Sequence, residues 1–326
     1  MKVSIIIPIY KVENEIERCL QSVLDQTYKN IELVLVNDCT PDDSFNNAKK
    51  ISQRCSSGIS ALLIEHDSNQ GVSVSRNTGI KSSTGDYLFF LDSDDELSSN
   101  ESIELLVKEV QSRDDIILGG FNKVNELGVI TPNFFKKNKF PQNQDVYLNY
   151  IKQGLLITPW AKLVRRDFLI KNNLFFKEGI YHEDFLWSFT SYRLANKVSV
   201  ISEIVYNYYD RDGSITSQIK EKNIADLVSV AQEIFSVYKN DQSYFPKETL
   251  VVLETTRRTA LKYLSYADDK HFIELQLQKL KEINISPFVT GKTSLLRLNL
   301  LLRSPIWFIR LYLKFKKVEI KHFGES

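Results

Sequence analysis

The chain has 326 residues, of which 43% are hydrophobic and 25% are charged, and its formal net charge is +1. This length allows one large domain or two modest ones, and the composition is ordinary for a globular protein. The small net charge excludes a dedicated nucleic-acid binder, because no excess of Lys and Arg is available to neutralise phosphates.

The cysteines and the apolar runs bear on the compartment in which the protein works. Three cysteines form no CxxC pair, and their odd number cannot close a disulfide framework, which favours a reducing environment. The apolar run 3–9 is too short for a secretory signal peptide, and no run reaches the roughly 18 apolar residues of a membrane-spanning helix. We therefore expect a cytoplasmic protein, either free or peripheral on the inner face of the cell membrane.

The first hundred residues alternate between two kinds of hydrophobic pattern. Short apolar runs, typical of strands buried on both faces, occupy residues 3–7, 31–36, 61–64 and 87–91. Apolar residues at helical spacing predict intervening helices over residues 16–24, 45–51 and 72–82. Strands that alternate with helices predict a parallel, doubly wound α/β sheet, in which ligands bind beyond the carboxyl ends of the strands.

Polar residues follow three of the predicted strands at the points where they end. Pro8-Ile9-Tyr10 follows the first strand, Asn37-Asp38 the second, and Asp92-Ser93-Asp94-Asp95 the fourth. Because the carboxyl ends of parallel strands meet at one edge of a sheet, we expect these groups to form one site.

The alternation weakens in the rest of the chain. Residues 103–110 predict a helix and 116–118 a further strand, whereas 128–144, rich in Asn, Lys and Pro, predict a loop or an irregular hairpin. From 223 to about 283 the periodicity is helical throughout. The periodicity therefore predicts an α/β region at the start of the chain, which changes in character after residue 97, and a helical region towards its end.

The tripeptide Asp92-Ser93-Asp94 combines two carboxylates at the end of an apolar strand. Carboxylates at that spacing can hold Mg²⁺ or Mn²⁺ and leave coordination positions for a diphosphate. A transferase that releases a nucleoside diphosphate uses such a cation to neutralise the developing charge. The structural alternative is an acidic turn capped by aspartate.

Two further clusters allow either a structural or a functional interpretation. Arg76 lies in a predicted helix between Gly71 and Gly79, where it is either a solvated cation or faces an anionic donor. Glu183 and Asp184 precede large apolar residues. Acids in such a position often cap helices, whereas a carboxylate in an apolar setting can serve as a general base.

Taken in order, the motifs resemble those of the family-2 glycosyltransferases. They are Val3-Ser-Ile-Ile-Ile-Pro-Ile-Tyr10, Gln26-Thr27-Tyr28, Val36-Asn-Asp-Cys-Thr-Pro-Asp-Asp-Ser44, the segment 71–79, Gly85-Asp86-Tyr87, Leu91-Asp-Ser-Asp-Asp95, Trp160-Ala-Lys162-Leu and His182-Glu183-Asp184. The resemblance covers roughly residues 1–217. It implies a domain of the GT-A fold over 1–217, a Rossmann-like, mostly parallel sheet flanked by helices. This domain would have a nucleotide-binding half over 1–97 and an acceptor half over 98–217, and a helical C-terminal region would follow over 218–326. It also implies a nucleotide-sugar donor, a divalent metal and inversion at the anomeric carbon.

The resemblance assigns donor-side roles position by position. The residues matched to the donor pocket are Pro8, Tyr10, Glu13, Asp38, Arg76, Asp92, Ser93, Arg211 and Ser214. Asp38 is expected to hydrogen-bond the base, with uracil the commonest partner, and Asp92 to approach the ribose. Asp94, with Asp92 beside it, is expected to ligate Mn²⁺ or Mg²⁺.

On the acceptor side, the resemblance makes Asp184 the general base that deprotonates the attacking hydroxyl. The other acceptor candidates are Trp160, His182, Glu183 and Trp187. The two indole rings either stack on sugars or pack in the core, and a contact with the acceptor and a supporting role are both open for His182. The family also implies a UDP-sugar donor, a glycan or lipid-linked glycan acceptor, and a role in bacterial surface polysaccharide or glycoconjugate synthesis.

One motif departs from the family's usual Asp-Asp-Gly-Ser, which reads Asn37-Asp38-Cys39-Thr40 here. Asn37 keeps the capacity for a hydrogen bond but not the charge. Cys39 in place of glycine predicts a turn that does not strictly require a positive φ. We expect activity to survive, because Asp38 is intact.

The segment 292–317 carries seven Lys or Arg residues and no acid, among many leucines and aromatic residues. A basic amphipathic segment of this kind predicts binding to an anionic membrane surface. The alternatives are a terminal helix docked on the body of the protein and a contact in a homodimer.

Two other functions compete with sugar transfer. A sugar-phosphate nucleotidyltransferase also places acids on a parallel sheet, but it needs a glycine-rich loop with a lysine after the first strand, which Pro8-Ile9-Tyr10 does not supply. A scaffold that binds nucleotide-sugars without turnover is the non-enzymatic alternative.

Overall fold

The computed structural model describes residues 1–55, 57–110, 114–136, 138–140, 157–210, 219–240, 246–283 and 308–309. The chain divides into two compact units. The first comprises Met1–Gly179 and Glu183–Asp212, and the second comprises Ile180–His182 and Gly213–Ser326. We call them the α/β unit and the helical unit.

The α/β unit is built around one mixed sheet, which has ten strands in the described part of the chain. In chain order the strands are β1 (Val3–Ile9), β2 (Ile31–Asn37), β3 (Ile59–Glu65), β4 (Tyr87–Phe90), β5 (Glu96–Leu97), β6 (Ile116–Val124), β7 (Ile130–Asn133), β8 (Asn138–Phe140), β9 (Lys162–Arg165) and β10 (Val198–Tyr209). Eight strands follow the order β3-β2-β1-β4-β9-β6-β10-β5, while β7 pairs with β6 and β8 with β10.

The four N-terminal strands are parallel, as their hydrophobic patterns predict. β1 pairs with β2 on one side and with β4 on the other, and β2 pairs with β3. Every residue of β2 is buried, and so is every residue of β1 except Pro8. Burial of this extent is typical of a parallel sheet covered on both faces. The predicted α/β architecture is confirmed.

Six helices of the α/β unit are described between these strands. They are α1 (Ile16–Leu24), α2 (Ser44–Ser52), α3 (Val72–Ser82), α4 (Ser102–Glu109), α5 (Arg166–Lys171) and α6 (Glu183–Leu194). α1 buries Cys19, Leu20 and Val23, which belong to the stripe predicted from helical spacing. α3 lies so close to β1 that a Cβ at Gly79 would meet Ile6 Cγ2 at 2.3 Å, so glycine is required there.

The second half of the sheet is mixed. β9 runs antiparallel to both β4 and β6, and β6 runs parallel to β10. The irregular hairpin predicted over 128–144 is correct in part, because β7 folds back on β6 whereas β8 pairs with β10. The antiparallel course of β9 is important for the site, because it brings the start of β9 beside the end of β4.

The helical unit contains the three described helices α7 (Glu221–Asn240), α8 (Pro246–Leu264) and α9 (Lys270–Glu282). They confirm the helical pattern read from residues 223–283. Within the same unit, the Tyr181 N–H donates to Asp226 Oδ2 over 2.8 Å. Among the residues that the structure describes, no helix combines the length and hydropathy needed to cross a membrane. Apart from 308–309, the basic segment 292–317 lies outside the described residues.

Candidate functional site

Three strand ends meet at the carboxyl edge of the parallel part of the sheet. Ile9 ends β1 opposite Asn37, the last residue of β2, and the Asp38 N–H donates to the Ile9 carbonyl over 3.0 Å. On the other side of β1, the Leu91 N–H donates to the Ile6 carbonyl over 3.0 Å. This bond places the following acidic segment at the same edge. We call this set of strand ends the donor edge.

Asp38 is 3% exposed and ties the end of β2 to the loop before α3. Its Oδ1 lies 2.9 Å from His66 Nδ1 and accepts the Gln70 N–H over 2.9 Å, while Oδ2 accepts the Gly71 N–H over 2.7 Å. His66 Nε2 in turn lies 3.1 Å from Thr78 Oγ1. A carboxylate has about four lone-pair sites, so these three contacts leave about one.

The turn after β2 contains both departures from the family motif, and its hydrogen bonds account for Asn37. Asn37 Oδ1 accepts the Thr40 N–H over 2.9 Å, and its Nδ2 donates to Glu65 Oε2 over 3.1 Å, a bond that a carboxylate could not donate. Cys39 has a φ of 54°, in the left-handed region that favours glycine. The expectation that this turn does not require a positive φ is therefore wrong. Cys39 holds the conformation at a cost of about 1–2 kcal/mol.

The residues after β1 form the rim of the donor edge. Tyr10 is 39% exposed, Glu13 is exposed, and Pro8 is partly buried within β1. Glu13 Oε2 accepts the Asp43 N–H over 3.4 Å, near the start of α2. The Tyr10 ring is accessible to a ligand at this rim.

The acidic segment after β4 is braced by β10. The Tyr206 hydroxyl accepts the Asp92 N–H over 3.2 Å and donates to Asp95 Oδ2 over 2.7 Å, and Asp95 Oδ1 accepts the Tyr209 N–H over 2.9 Å. Burial, together with the charges of Asp94 and Asp92, raises the pKa of Asp95, which is 1% exposed. Asp95 supports the segment, and the partly exposed Asp92 and Asp94 are the acids available to a ligand.

Asp92 and Asp94 fit a divalent cation that shares its coordination with a substrate. Within the described ranges, no group of three or more His, Cys, Asp or Glu side chains is arranged to hold a metal ion alone. Mg²⁺ is usually held by one or two carboxylates, while substrate phosphates and waters complete its coordination. The two partly exposed carboxylates match that pattern, whereas Ser93 is buried.

Arg76 joins the donor edge to the start of α6. It is 5% exposed, its Nη2 donates to Asp92 Oδ1 over 2.7 Å, and its Nη1 donates to Glu183 Oε1 over 3.0 Å. The neighbouring Asn77 bonds the Phe176 carbonyl and N–H over 2.9 and 2.8 Å. α3 thus fixes Glu183 relative to Asp92, and the alternative of a solvated Arg76 is excluded.

Asp184 lies in the first turn of α6, directly after Glu183. Its Oδ1 accepts the Phe185 N–H over 2.7 Å, a favourable contact for an acid at a helix N-terminus. Burial raises the pKa of Asp184, and the Phe185 N–H and the charges of Arg76 and Lys162 oppose that shift. Asp184 therefore lies at a helix end, among charged neighbours, with a raised pKa.

The remaining acceptor candidates divide between the two units. Trp160 is 6% exposed and stacks on Tyr206, with ring centroids 4.5 Å apart. Trp187 is 3% exposed and stacks on Phe176, with centroids 4.9 Å apart. Core packing therefore describes both tryptophans, and direct stacking on a sugar does not.

His182 belongs to the helical unit. Its φ is 65°, and its ring lies 6.2 Å from that of Tyr263, measured between centroids. Arg211 and Ser214, which the resemblance matches to the donor pocket, lie outside the described residues.

Three residues to which the sequence analysis assigned no role belong to this arrangement, although Lys162 lies within the motif Trp160-Ala-Lys162-Leu. His66 contacts Asp38, Tyr206 braces the segment after β4, and Lys162 is buried within electrostatic reach of Asp184. A lysine inside the apolar start of β9 is a visible signal, because buried ammonium groups are rare without a partner. The contacts of His66 and Tyr206 depend on pairings distant in sequence and leave no such signal.

The family match falls within the α/β unit of the chain. The sequence profile described as Glycosyl transferase family 2 matches residues 4–171, more than half of the chain. The chain is 32% identical over 250 residues to Glycosyltransferase GlyA of Streptococcus pneumoniae, covering 73% of this chain and 35% of GlyA. It is 34% identical over 219 residues to Uncharacterized glycosyltransferase EpsJ of Bacillus subtilis, covering 66% of this chain and 62% of EpsJ. The chain spans about a third of the length of GlyA and less than two thirds of EpsJ.

The fold is similar to the crystal structure of S. aureus TarS 1–349. The TM-score is 0.68 at 21% identity, and the superposition covers 99% of this chain and 92% of that one. TarS has also been solved in complexes with UDP and with UDP-GlcNAc. The likeness confirms the predicted GT-A fold with its helical C-terminal region. Together with this fold, the extent of the profile match shows that the chain belongs to glycosyl transferase family 2.

Proposed function

We propose that this chain is a glycosyltransferase that moves a sugar from a nucleotide-sugar donor to a hydroxyl group of a glycan acceptor. The observation that carries the proposal is the pair of bonds from Arg76 to Asp92, on the donor edge, and to Glu183, beside Asp184. Sugar transfer needs donor-binding acids and a base positioned around one anomeric carbon. Family membership favours this reaction over nucleotidyl transfer.

A UDP-sugar is the donor in this proposal. TarS shares the fold and has been solved with UDP-GlcNAc, which supports a uridine nucleotide here. Tyr10, exposed at the end of β1, offers an aromatic face to the base. Asp38 shapes the pocket by fixing the backbone at Gln70 and Gly71, and keeps about one acceptor position for the base itself.

Asp94 and Asp92 are the proposed ligands for Mg²⁺ or Mn²⁺. The cation supplies neutralisation of the charge that develops on the diphosphate leaving group. The protein orients the two acids beforehand, because Arg76 holds the Asp92 side chain and Tyr206 holds its N–H. Arg18, on α1, donates to the Asp94 carbonyl and fixes the backbone there.

Asp184 is the proposed general base. Its carboxylate takes the proton of the acceptor hydroxyl as that oxygen bonds to the anomeric carbon. The bond from this carbon to the diphosphate oxygen breaks, and its electron pair leaves with the nucleoside diphosphate. A single displacement of this kind inverts the anomeric configuration. Burial raises the pKa of Asp184, which makes it a better base near neutral pH than an exposed aspartate.

We place the reaction in the synthesis of a bacterial surface glycan, with a glycan or lipid-linked glycan as the acceptor. Both curated relatives described above are bacterial glycosyltransferases, which supports this setting. The two compact units support our proposed division into a catalytic domain over 1–217 and a helical region over 218–326.

We also propose that the segment 292–317 binds the anionic inner face of the membrane, which would bring the enzyme to a lipid-linked acceptor. Its seven cations without an acid support this location. Co-sedimentation with anionic liposomes, comparing the full chain with one that ends before residue 292, tests it. Equal binding of the full and shortened chains would contradict the membrane proposal. The segment would then be explained by a homodimer contact or by a terminal helix docked on the protein.

A donor screen tests the proposed function. UDP-, GDP- and CMP-sugars are compared by thermal shift with and without Mn²⁺, and nucleotide release is then assayed with the best donor. We expect a UDP-sugar with Mn²⁺ to stabilise most, since a ligand at 100 times its Kd adds about 2.7 kcal/mol. Asp94→Ala should abolish the metal-dependent part of this shift. Asp167→Ala, which removes an exposed acid at the start of α5, should preserve it.

The scaffold alternative predicts a different outcome from the same screen. A protein that binds the donor with Mn²⁺, yet releases no nucleoside diphosphate with any glycan acceptor, would contradict the transferase. An unchanged metal-dependent shift in Asp94→Ala would contradict the assignment of the metal ligands.

A further inference from the structure

Lys162 is the first residue of β9 and lies at the same edge of the sheet as the donor-binding acids. β9 runs antiparallel to β4, with Tyr87 opposite Arg165 and Phe89 opposite Leu163. This register brings Lys162 to the carboxyl end of β4, just before Asp92. Lys162 is 1% exposed, so its ammonium group is held inside the protein beside the site.

The surroundings of Lys162 point its ammonium towards α6. Its Nζ lies 4.8 Å from the centre of the Tyr192 ring and 6.0 Å from that of Trp187, both on α6. Trp187 follows Asp184 by three residues, and side chains at that spacing share a helix face. Burial lowers the pKa of Lys162 to about 7, and the charge of Asp184 opposes that shift.

The charges around Asp184 show why a second cation is needed there. The groups that act on it are Arg76 from α3, Asp92 from the donor edge, Lys162 from β9 and its own neighbour Glu183. Arg76 already donates to both Asp92 and Glu183. Three carboxyl groups therefore surround one guanidinium, and a buried carboxylate without a nearby cation tends to take up a proton.

We propose that Lys162 is a positioning residue for Asp184, whose ammonium holds the Asp184 carboxyl group in the ionised form that can accept a proton. This inference rests on the proposed function, because it assumes that Asp184 is the base. Without the ammonium, Asp184 would keep its place on α6 but would be protonated over more of the pH range near neutrality. We expect donor binding to be unchanged, because the ammonium group of Lys162 is directed towards the Tyr192 and Trp187 rings on α6.

A purely structural lysine would behave differently. Its replacement would reduce stability, and with it the amount of active enzyme, but it would leave the pH at which Asp184 titrates unchanged. An electrostatic role changes the pH at which Asp184 titrates, and that change can be measured without any turnover.

The test uses Lys162→Met, which keeps the length of the side chain and removes its charge. Carboxyl ¹³C NMR follows the titration of Asp184, assigned by the resonance missing in Asp184→Asn. We expect the Asp184 titration to move to higher pH in Lys162→Met and to stay in place in Lys162→Arg, because guanidinium keeps its charge. Arg165→Met is the matched control, since it removes a cation paired with the buried Asp115 at the other end of the same strand.

Kinetics give the second readout. At pH 6.5 and saturating donor, kcat of Lys162→Met should fall about tenfold. This is less than the roughly 10²–10⁴-fold expected for complete loss of general-base catalysis, because part of the Asp184 population remains ionised. The deficit should shrink as the pH rises, while KM for the donor stays unchanged. Rescue by Lys162→Arg is expected, and Arg165→Met should keep the wild-type pH profile.

Each outcome bears on the proposal. An Asp184 titration that is identical in Lys162→Met and the wild type overturns it, as does a loss of kcat that is uniform over pH. If Lys162→Met does not fold, Lys162→Gln replaces it, and equal titration of the Gln and Arg variants contradicts the proposal. Absence of turnover in the wild type contradicts the proposed function alone, because the NMR titration still tests Lys162.

Discussion

The donor edge and the start of α6 carry the two halves of the proposed chemistry, and the fold holds them in different ways. At the donor edge, Asp38 is fixed mainly by backbone N–H groups of the loop before α3. At the start of α6, Glu183 is fixed by the side chain of Arg76, 107 residues earlier in the chain. The first arrangement depends on the path of the backbone after a strand. The second depends on charged side chains buried against one another.

This difference predicts that substitution of Arg76, which bonds residues of both regions, has the largest effect on stability and activity. Arg76→Met leaves Asp92 and Glu183 without their shared cation. We expect the free energy of unfolding to fall by about 3–5 kcal/mol, the usual cost of removing one partner from a buried ion pair. Urea denaturation measures the loss, and nucleotide release should fall with it because Glu183 no longer holds the start of α6 beside Asp92.

Lys108→Met is the control for Arg76→Met, since it breaks an exposed pair with Glu104 on α4. An exposed i, i+4 pair contributes about 0.3–0.5 kcal/mol. If the two variants lost the same free energy of unfolding, Arg76 would contribute no more than a surface cation. That result would contradict the claim that Arg76 couples the donor edge to the start of α6.

A smaller effect is expected within the donor edge, at the turn after β2. Cys39→Gly relieves the left-handed conformation at φ 54°, but it also adds conformational freedom to the unfolded chain. We expect a net gain of about 0.5–1 kcal/mol in the free energy of unfolding. Cys39→Ala removes the thiol and keeps the Cβ, so it should show no such gain. Equal stability of the two variants would contradict the strain at this turn.

The same difference decides how much could be predicted from the sequence. The parallel strands, the helical stripe on α1 and the polar strand ends depend on local periodicity, so their patterns were sufficient. The conformation of Cys39 was predicted wrongly. A cysteine in place of glycine suggested that the turn does not need a positive φ, but Cys39 has a φ of 54°. The bond from the Thr40 N–H to Asn37 Oδ1 closes the turn around Cys39.

The acceptor half was less predictable for a physical reason. Trp160 is buried by stacking with Tyr206, which is distant in sequence, and Trp187 by stacking with Phe176, which lies in the loop before α6. The pairing of Arg76 with Glu183 also requires the finished fold. Lys162 illustrates the limit, because its place beside Asp184 follows from the antiparallel register of β9, and periodicity does not specify strand direction.

Asp184→Asn tests the central claim, that the first turn of α6 carries the base and the donor edge carries the donor. The measurement is nucleotide release at saturating donor, Mn²⁺ and acceptor, with donor binding checked by thermal shift in the same preparation. We predict that Asp184→Asn binds the donor as the wild type does and transfers sugar at least about a hundredfold more slowly. Transfer at the wild-type rate would contradict the assignment of Asp184 as the base.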